Sequence, residues 1–201
     1  KGDAYFVLVP ENYNEAMELL GAYKDVFEDS KIGKTGQNLK FDMAVLRWYD
    51  IEVKGPLFDT MIAHYILEPD MRHNMDFLAQ TYLNYKPVPI ENLIGKKGKN
   101  QLSMRVVNTE QLKEYACEDA DITYQLKKLL EPEIEKPHLH HLFYDVEMPL
   151  AKVLKEIEQE IDVDMLTKGM RHQMADKPLV SEAQHTQIRE AFSIKLQAHA
   201  E

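Results

Sequence analysis

The longest periodic pattern in the chain runs from Asn108 to Leu130 and predicts an amphipathic helix. Its apolar residues recur about every 3.6 positions, at Leu112, Tyr115, Ala116, Ile122, Leu126 and Leu129. Such a helix buries one stripe and leaves the opposite face to solvent. We therefore expect this segment to form the longest helix of the fold, and Pro132 to end it.

Strand-like segments lie early in the chain, and helical segments alternate with them and then follow. Ala4–Val9 is aromatic and β-branched, Lys31–Gly36 can carry a brief strand, and Ile51–Val53 is a third candidate. Further helices are predicted at Asn14–Glu28, Asn38–Tyr49, Asp59–Leu67, Asn74–Tyr82 and His141–Ile161, and a loop at Lys86–Leu102. Asp59 can cap the helix that it begins. The pattern indicates an α/β fold with a sheet that is short for this chain length.

Composition narrows the class of protein. The 201 residues are 44% hydrophobic and 29% charged, which is typical of a globular protein with one good-sized core, or one core and part of a second. The one cysteine, Cys117, excludes an intrachain disulfide and a zinc site built from cysteines. No apolar run approaches the roughly 20 residues of a spanning helix, so we expect no membrane partner. The single cysteine fits a reducing, cytoplasmic setting. Residue 1 is not Met, and we expect it to be an internal position of a longer protein.

The net charge of −10 restricts the way in which the chain can bind nucleic acid. Broad binding to duplex DNA depends on many Lys and Arg contacts to phosphates, which an acidic chain does not favour. A metal-dependent site remains compatible with this charge, because such a site is built from acids and its ions supply the positive charge.

Tyr115 and Asp119 are four residues apart on the predicted long helix and therefore share one of its faces. A carboxylate there can bind a hard cation such as Mg²⁺, and a phenol one turn away can hold a water that the cation activates. The competing interpretation is a core tyrosine beside a solvated surface acid. A second acid, Asp42, closes the more specific segment Gly36-Gln37-Asn38-Leu39-Lys40-Phe41-Asp42, in which Asn38 can cap a helix.

With both segments present, the chain resembles the 3′→5′ proofreading exonuclease domain of family A DNA polymerases. Further stretches match in order and spacing from about Ala4 to Asp162: Phe58–Met61, His73–Ala79, Gly98–Leu102 and Glu147–Leu150. The resemblance implies a ribonuclease H-like fold in which helices flank a mixed sheet. It also implies hydrolysis of the 3′-terminal phosphodiester of single-stranded or frayed DNA with two ions, Mg²⁺ or Mn²⁺.

The resemblance assigns roles to residues of the two segments. Asp42 and Asp119 would be metal ligands, and Tyr115 would orient the attacking water. Gln37 and Asn38 would line the pocket for the terminal nucleotide.

The family's first motif, Asp-x-Glu on the opening strand, has no acceptable match here. Phe58-Asp59-Thr60 lacks the second acid, and Asp145-Val146-Glu147 precedes the segment that resembles the link to a polymerase domain. We expect the opening strands to lie upstream of Lys1. Two ions about 3.5–4 Å apart repel each other and need shared carboxylates. We therefore expect these 201 residues alone to bind Mg²⁺ weakly and to hydrolyse little DNA.

One local basic patch stands out in the acidic chain. Lys96, Lys97, Lys99 and Arg105 can contact the phosphates of a frayed strand, and a solvated loop is the equal alternative.

The expected organisation is an exonuclease domain at 1–136 and a helical link at 137–201 into the polymerase domain of the same parent chain. Two other functions stay open. One is a catalytically silent exonuclease-like domain of a family A polymerase, and the other is an RNA-trimming exonuclease of the ribonuclease D type.

Overall fold

Helices dominate the computed structural model, which describes residues 4–96, 98 and 100–157. The helices are α1 (Tyr13–Gly21), α2 (Lys24–Glu28), α3 (Leu39–Trp48), α4 (Thr60–Leu67), α5 (Met75–Leu83), α6 (Glu91–Ile94), α7 (Thr109–Ile134) and α8 (Pro137–His141). A 3₁₀ turn covers Met104–Val106. After α8 the chain stays helical, through π-helical turns at Leu142–Glu147 and then α-helix over residues 148–157.

Two short parallel strands, β1 (Lys34–Gly36) and β2 (Leu57–Asp59), form the sheet of the described residues. Lys34 pairs with Leu57 and Gly36 with Asp59. A parallel pair needs a crossover connection, and α3 supplies it. Helices around a small parallel sheet confirm the predicted α/β class.

Apolar side chains of several elements meet in one main core cluster. It joins α3, β2, α4, α5, α7 and the helix after α8 through Leu39, Met43, Leu57, Phe58, Ala63, Leu78, Ala79, Ile122, Leu126, Leu130, Ile134, Phe143 and Met148. A second cluster packs α1 and α2 against the C-terminal half of α3 and Ile51. The crossover helix α3 therefore contributes to both clusters.

Two predicted strands are wrong. Ala4–Val9 has no strand in the structure, and Tyr5 and Leu8 are 70% and 55% exposed. Ile51–Val53 is also irregular, and the strand lies further on, at Leu57–Asp59, after Gly55-Pro56. β-branched and aromatic composition favours a strand only where a neighbouring strand accepts its hydrogen bonds, and within the described ranges no strand pairs with either segment.

The predicted helices exist, with changed bounds. Asn14–Glu28 divides into α1 and α2 at Ala22-Tyr23, and α7 continues through Pro132, which we expected to end it. The helix predicted to Ile161 is confirmed as far as residue 157, and its last residues lie outside the described part of the chain. The predicted loop at Lys86–Leu102 contains the short α6.

Within the described part of the chain, no helix is both long enough and apolar enough to cross a membrane.

Candidate functional site

Asp59 joins the ends of both strands to the helices that follow them. Its carboxylate accepts hydrogen bonds from the backbone N–H groups of Asn38 (3.1 Å) and Leu39 (2.7 Å) at the start of α3. It also accepts from Met61 (2.9 Å) and Ile62 (3.4 Å) at the start of α4. The residue is only 1% exposed. One buried carboxylate thus satisfies free N–H groups at two helix N-termini, where negative charge is favoured.

The structure refines the two predicted caps. Asp59 caps α4 as the sequence predicts. Asn38 precedes α3 as predicted, but its side chain makes no cap hydrogen bond, since its backbone is left-handed at φ 64° and ψ 51°. Burial raises the pKa of the Asp59 carboxyl, and the four backbone donors oppose that change.

Gln37 is held at both ends of its side-chain amide. Its Nε2 donates to the backbone oxygen of His73 at 2.7 Å, and its Oε1 accepts from the hydroxyl of Thr60. The Thr60 hydroxyl also lies 3.1 Å from the backbone oxygen of Gly36. The amide therefore links the end of β1 to α4 and to the turn before α5.

A histidine pair anchors that turn. His64, on α4 and 0% exposed, has its Nδ1 2.7 Å from Nδ1 of His73 and its Nε2 3.0 Å from the hydroxyl of Tyr82. Burial lowers the pKa of His64, the charge of His73 lowers it further, and Glu68 acts in the opposite sense. A neutral His64 can donate from one ring nitrogen and accept at the other, so it can serve both partners at once.

Asp42 lies half-buried in the first turn of α3, close to the end of β1. A Cβ atom added at Gly36 would lie 3.5 Å from Asp42 Oδ2 and 2.8 Å from Leu39 Cγ. The absence of a side chain at residue 36 lets the α3 turn pack directly on the strand. Asp42 therefore lies close to the end of β1, with its side chain half-buried.

Tyr115 and Asp119 lie one turn apart on α7, so their side chains share one face of the helix. Burial raises the pKa of the Tyr115 phenol, and the negative charges of Asp119, Asp76 and Glu118 raise it further. The phenol therefore stays protonated at neutral pH and keeps an O–H to donate.

Two acids near this pair were not predicted as site residues. Glu118 accepts from the Tyr85 hydroxyl at 2.5 Å and from the Val88 N–H at 3.1 Å, which fastens the segment after α5 to α7. Asp76, on α5, has its pKa raised by burial and by the charges of Glu118 and Glu91. Both acids lie in segments that resemble the exonuclease family. The sequence does not show that they are close together, because this depends on the packing of α5 against α7.

The faces that carry Asp42 and Asp119 turn toward one core cluster. On α3, Leu39 precedes Asp42 by three residues and shares its face, and Met43 follows Asp42 directly on a neighbouring face. On α7, Ile122 and Leu126 follow Asp119 at i+3 and i+7. These four apolar residues belong to the main cluster, and β1 also contacts α7.

The predicted basic patch is described only in part. Lys96 is exposed, and an ion pair joins Arg105 Nη1 to Glu11 Oε1 at 2.8 Å. Lys97 and Lys99 lie outside the described residues.

The donors at Asp42, Asp119 and Tyr115 are oxygens, which suits Mg²⁺ or Mn²⁺. Their number is small for a metal centre. In the described ranges, no group of three or more His, Cys, Asp or Glu side chains comes together in a way that could hold an ion.

Residues 1–135 match the family model described as 3′-5′ exonuclease. The chain belongs to this exonuclease family. It is 36% identical to DNA polymerase I of Pseudomonas aeruginosa over 83% of the chain and 20% of that protein. It is 38% identical to DNA polymerase I of Chloroflexus aurantiacus over 77% of the chain and 17% of that protein. For DNA polymerase I of Borreliella burgdorferi the identity is 33%, over 73% of the chain and 16% of that protein.

The chain thus spans a fifth or less of these curated relatives. It corresponds to the 3′-5′ exonuclease domain of DNA polymerase I homologues, which confirms the resemblance inferred from the motifs.

Proposed function

We propose that this exonuclease-family chain hydrolyses the 3′-terminal phosphodiester of single-stranded or frayed DNA as the proofreading unit of a cytoplasmic bacterial DNA polymerase I. The observation that carries the proposal is the placement of Tyr115 and Asp119 one turn apart on α7, where the carboxylate is close enough for its charge to act on the phenol. Under this proposal the fold is ribonuclease H-like, and the β1–β2 pair is part of a larger mixed sheet.

Asp42 and Asp119 would hold the divalent ions, and Tyr115 would orient the attacking water through its protonated hydroxyl. When bound, two Mg²⁺ or Mn²⁺ ions supply the positive charge that stabilises the attacking and leaving oxygens. The shared orientation of the α3 and α7 faces toward one core cluster supports this assignment.

Gln37 and Asn38 would form the pocket for the terminal nucleotide. The amide of Gln37 is engaged by His73 and Thr60, so its contribution to the pocket is to fix the loop before α3. The strand would approach along the basic loop of Lys96, Lys97, Lys99 and Arg105. Residues 137–201 would lead into the polymerase domain of the parent chain.

These 201 residues alone should bind Mg²⁺ weakly and hydrolyse little DNA. The two assigned carboxylates are fewer than a pair of ions needs, and the described residues bring no third ligand to them. A second candidate is a catalytically silent exonuclease-like domain, and the joint presence of Asp42, Tyr115 and Asp119 speaks against it. Preferential shortening of an RNA 3′ end would instead favour the ribonuclease D type.

Paramagnetic Mn²⁺ tests the shared cation pocket directly. At millimolar Mn²⁺ we expect amide signals near Asp42 and near Asp119 to broaden together in an NMR titration. Asp42→Asn and Asp119→Asn should each reduce the broadening at both places, whereas the exposed control Asp70→Asn should leave it unchanged. Broadening at only one of the two acids would refute the common pocket.

Hydrolysis is measured separately, on a 5′-labelled single strand with Mg²⁺ or Mn²⁺. We expect little shortening by the 201-residue chain. Rapid, chelator-sensitive shortening from the 3′ end would contradict the expected weak activity while supporting the assigned reaction.

A further inference from the structure

A cavity of about 160 Å³ lies between α3, from Met43 to Arg47, residues 51–55 and the helix after α8. Four cationic side chains line it: Arg47, Lys54, Lys152 and Lys155. Glu52 and Glu156 are the acids of the lining. The cavity therefore concentrates positive charge in a chain whose net charge is −10.

Few carboxylates neutralise these cations. Lys54 Nζ lies 3.3 Å from Glu52 Oε2 and 3.9 Å from Glu28 Oε2, and Lys155 Nζ lies 3.9 Å from Glu156 Oε1. For Arg47 and Lys152, no carboxylate within 4 Å is found in the described part of the chain. Acids outnumber bases 34 to 24 overall, so this imbalance is local to the cavity.

Burial strengthens the electrostatic interactions of one of these cations, Lys155. The side chain of Lys155 is 12% exposed, while that of Glu156 is 67% exposed. A charge in a partly enclosed site interacts more strongly with an incoming ion than an exposed charge does, because less water screens it. The cavity wall therefore favours an anion over a second cation.

The dimensions indicate what kind of anion would enter. Pockets for drug-sized ligands typically measure roughly 300–1,000 Å³, well above this volume. A tetrahedral phosphate group is small enough to enter, while a nucleoside would stay outside. Arg presents a planar fork of donors to phosphate oxygens and Lys adds point charges, so the lining has suitable chemistry.

We propose that this cavity binds a phosphate group, either of a free phosphate monoester or of a phosphodiester in a nucleic acid strand. The site is distinct from the candidate catalytic one. Asp42 is in the first turn of α3 and Arg47 in its last, so about 7–8 Å of helix axis separates them.

The test compares Arg47→Gln/Lys155→Gln with the control Lys31→Gln/Lys86→Gln. Both doubles remove two positive charges, and the control lysines lie outside the cavity lining. Glutamine retains part of the side-chain stem that packs at Lys155. Inorganic phosphate is titrated by NMR of the full 201-residue chain, and a fluorescent oligothymidylate by anisotropy, both at low salt.

We expect saturable binding that weakens about tenfold in the cavity double and less than twofold in the control. Saturation by inorganic phosphate assigns the monoester, and saturation by the oligonucleotide alone assigns the phosphodiester. Equal losses in the two doubles, or no saturable binding of either probe, would overturn the proposal. If the cavity double does not fold, Lys152→Gln, at an exposed residue, should still weaken binding two- to threefold, and no change would count against the site.

Discussion

Carboxylates occupy two contrasting environments in this protein, at the Asp59 junction and on the α7 face around Asp119. Asp59 is buried and receives four backbone N–H groups from two helix starts. On α7, Asp119 and Glu118 lie near Asp76 and Tyr115, so that negative groups face one another. Backbone N–H groups compensate the negative charge of Asp59, whereas the carboxylates around Asp119 place like charges close to one another.

The difference separates a structural acid from acids suited to a cation. Backbone donors fix Asp59 and leave its oxygens few free positions for a metal ion. Like charges at close range destabilise the folded chain until a cation or a proton compensates them. The contrast explains why Asp59, although it resembles part of a metal motif in sequence, acts as a helix cap.

The largest expected effect is on the Asp59 junction. Asp59→Ala leaves buried N–H groups at α3 and α4 without an acceptor, and we expect it to lower the free energy of unfolding by about 3–4 kcal/mol. Urea denaturation measures this change. The exposed control Asp70→Ala should stay within about 0.5 kcal/mol of the parent chain. A loss below about 1 kcal/mol for Asp59→Ala would show that the junction is not a stability determinant.

Replacing Glu118 should have an effect of intermediate size, because this acid on α7 accepts hydrogen bonds from two donors. Glu118→Ala removes the bonds to Tyr85 and Val88, and we expect a loss of about 1 kcal/mol. Hydrogen exchange at the Val88 amide should accelerate as well. Glu114→Ala, an exposed change on the same helix, should alter neither quantity.

The histidine pair adds a pH-dependent test near the Asp59 junction. Because the folded-state pKa of His64 is lowered, the unfolded chain binds the proton first, and stability should fall as the pH drops below about 6.5. The groups that face His64 are His73, Tyr82 and Glu68. His64→Asn should flatten this part of the stability–pH curve measured by urea denaturation. If the free energy of unfolding of the parent chain does not change between pH 5.5 and 7.5, the predicted effect of His64 is wrong.

Asp76→Asn should give the smallest effect, with the opposite sign. The folded-state pKa of Asp76 is raised, so its charge destabilises the fold above that pKa, and the penalty disappears as the pH falls below the ordinary value near 4. Part of the carboxyl is shielded from water, but the residue as a whole is exposed, so we expect a gain of only about 0.3 kcal/mol at pH 7. Differential scanning calorimetry at pH 7 and pH 3.5 should show the gain only at pH 7.

Local patterns predicted the helices well. The periodicity of Asn108–Leu130 located α7, and Asp59 was recognised as the cap of α4. Pro132 misled the prediction of the end of α7, because a proline removes one N–H and does not always end a helix. Likewise β2 is buried at all three residues, so it lacks the alternation that identifies a half-buried strand.

Contacts between elements account for what the sequence did not predict. Asp59 caps α3 only because β1 and β2 pair in a register that places Gly36 beside it. The meeting of Glu118 with Tyr85, and of His64 with His73, depends on how α4, α5 and α7 pack. The assignments of Asp42, Tyr115 and Asp119 came from the motif resemblance and remain predictions about chemistry.

Protein engineers would find little freedom at position 36. Any side chain there would press on Leu39 while approaching Asp42, so the helix start and the strand end could not both keep their places. A library randomised at this codon and sorted for soluble expression should return glycine, whereas one at the exposed Lys31 should accept many residues. Grafting this strand–helix corner into another scaffold would therefore require transplanting the glycine together with the acid.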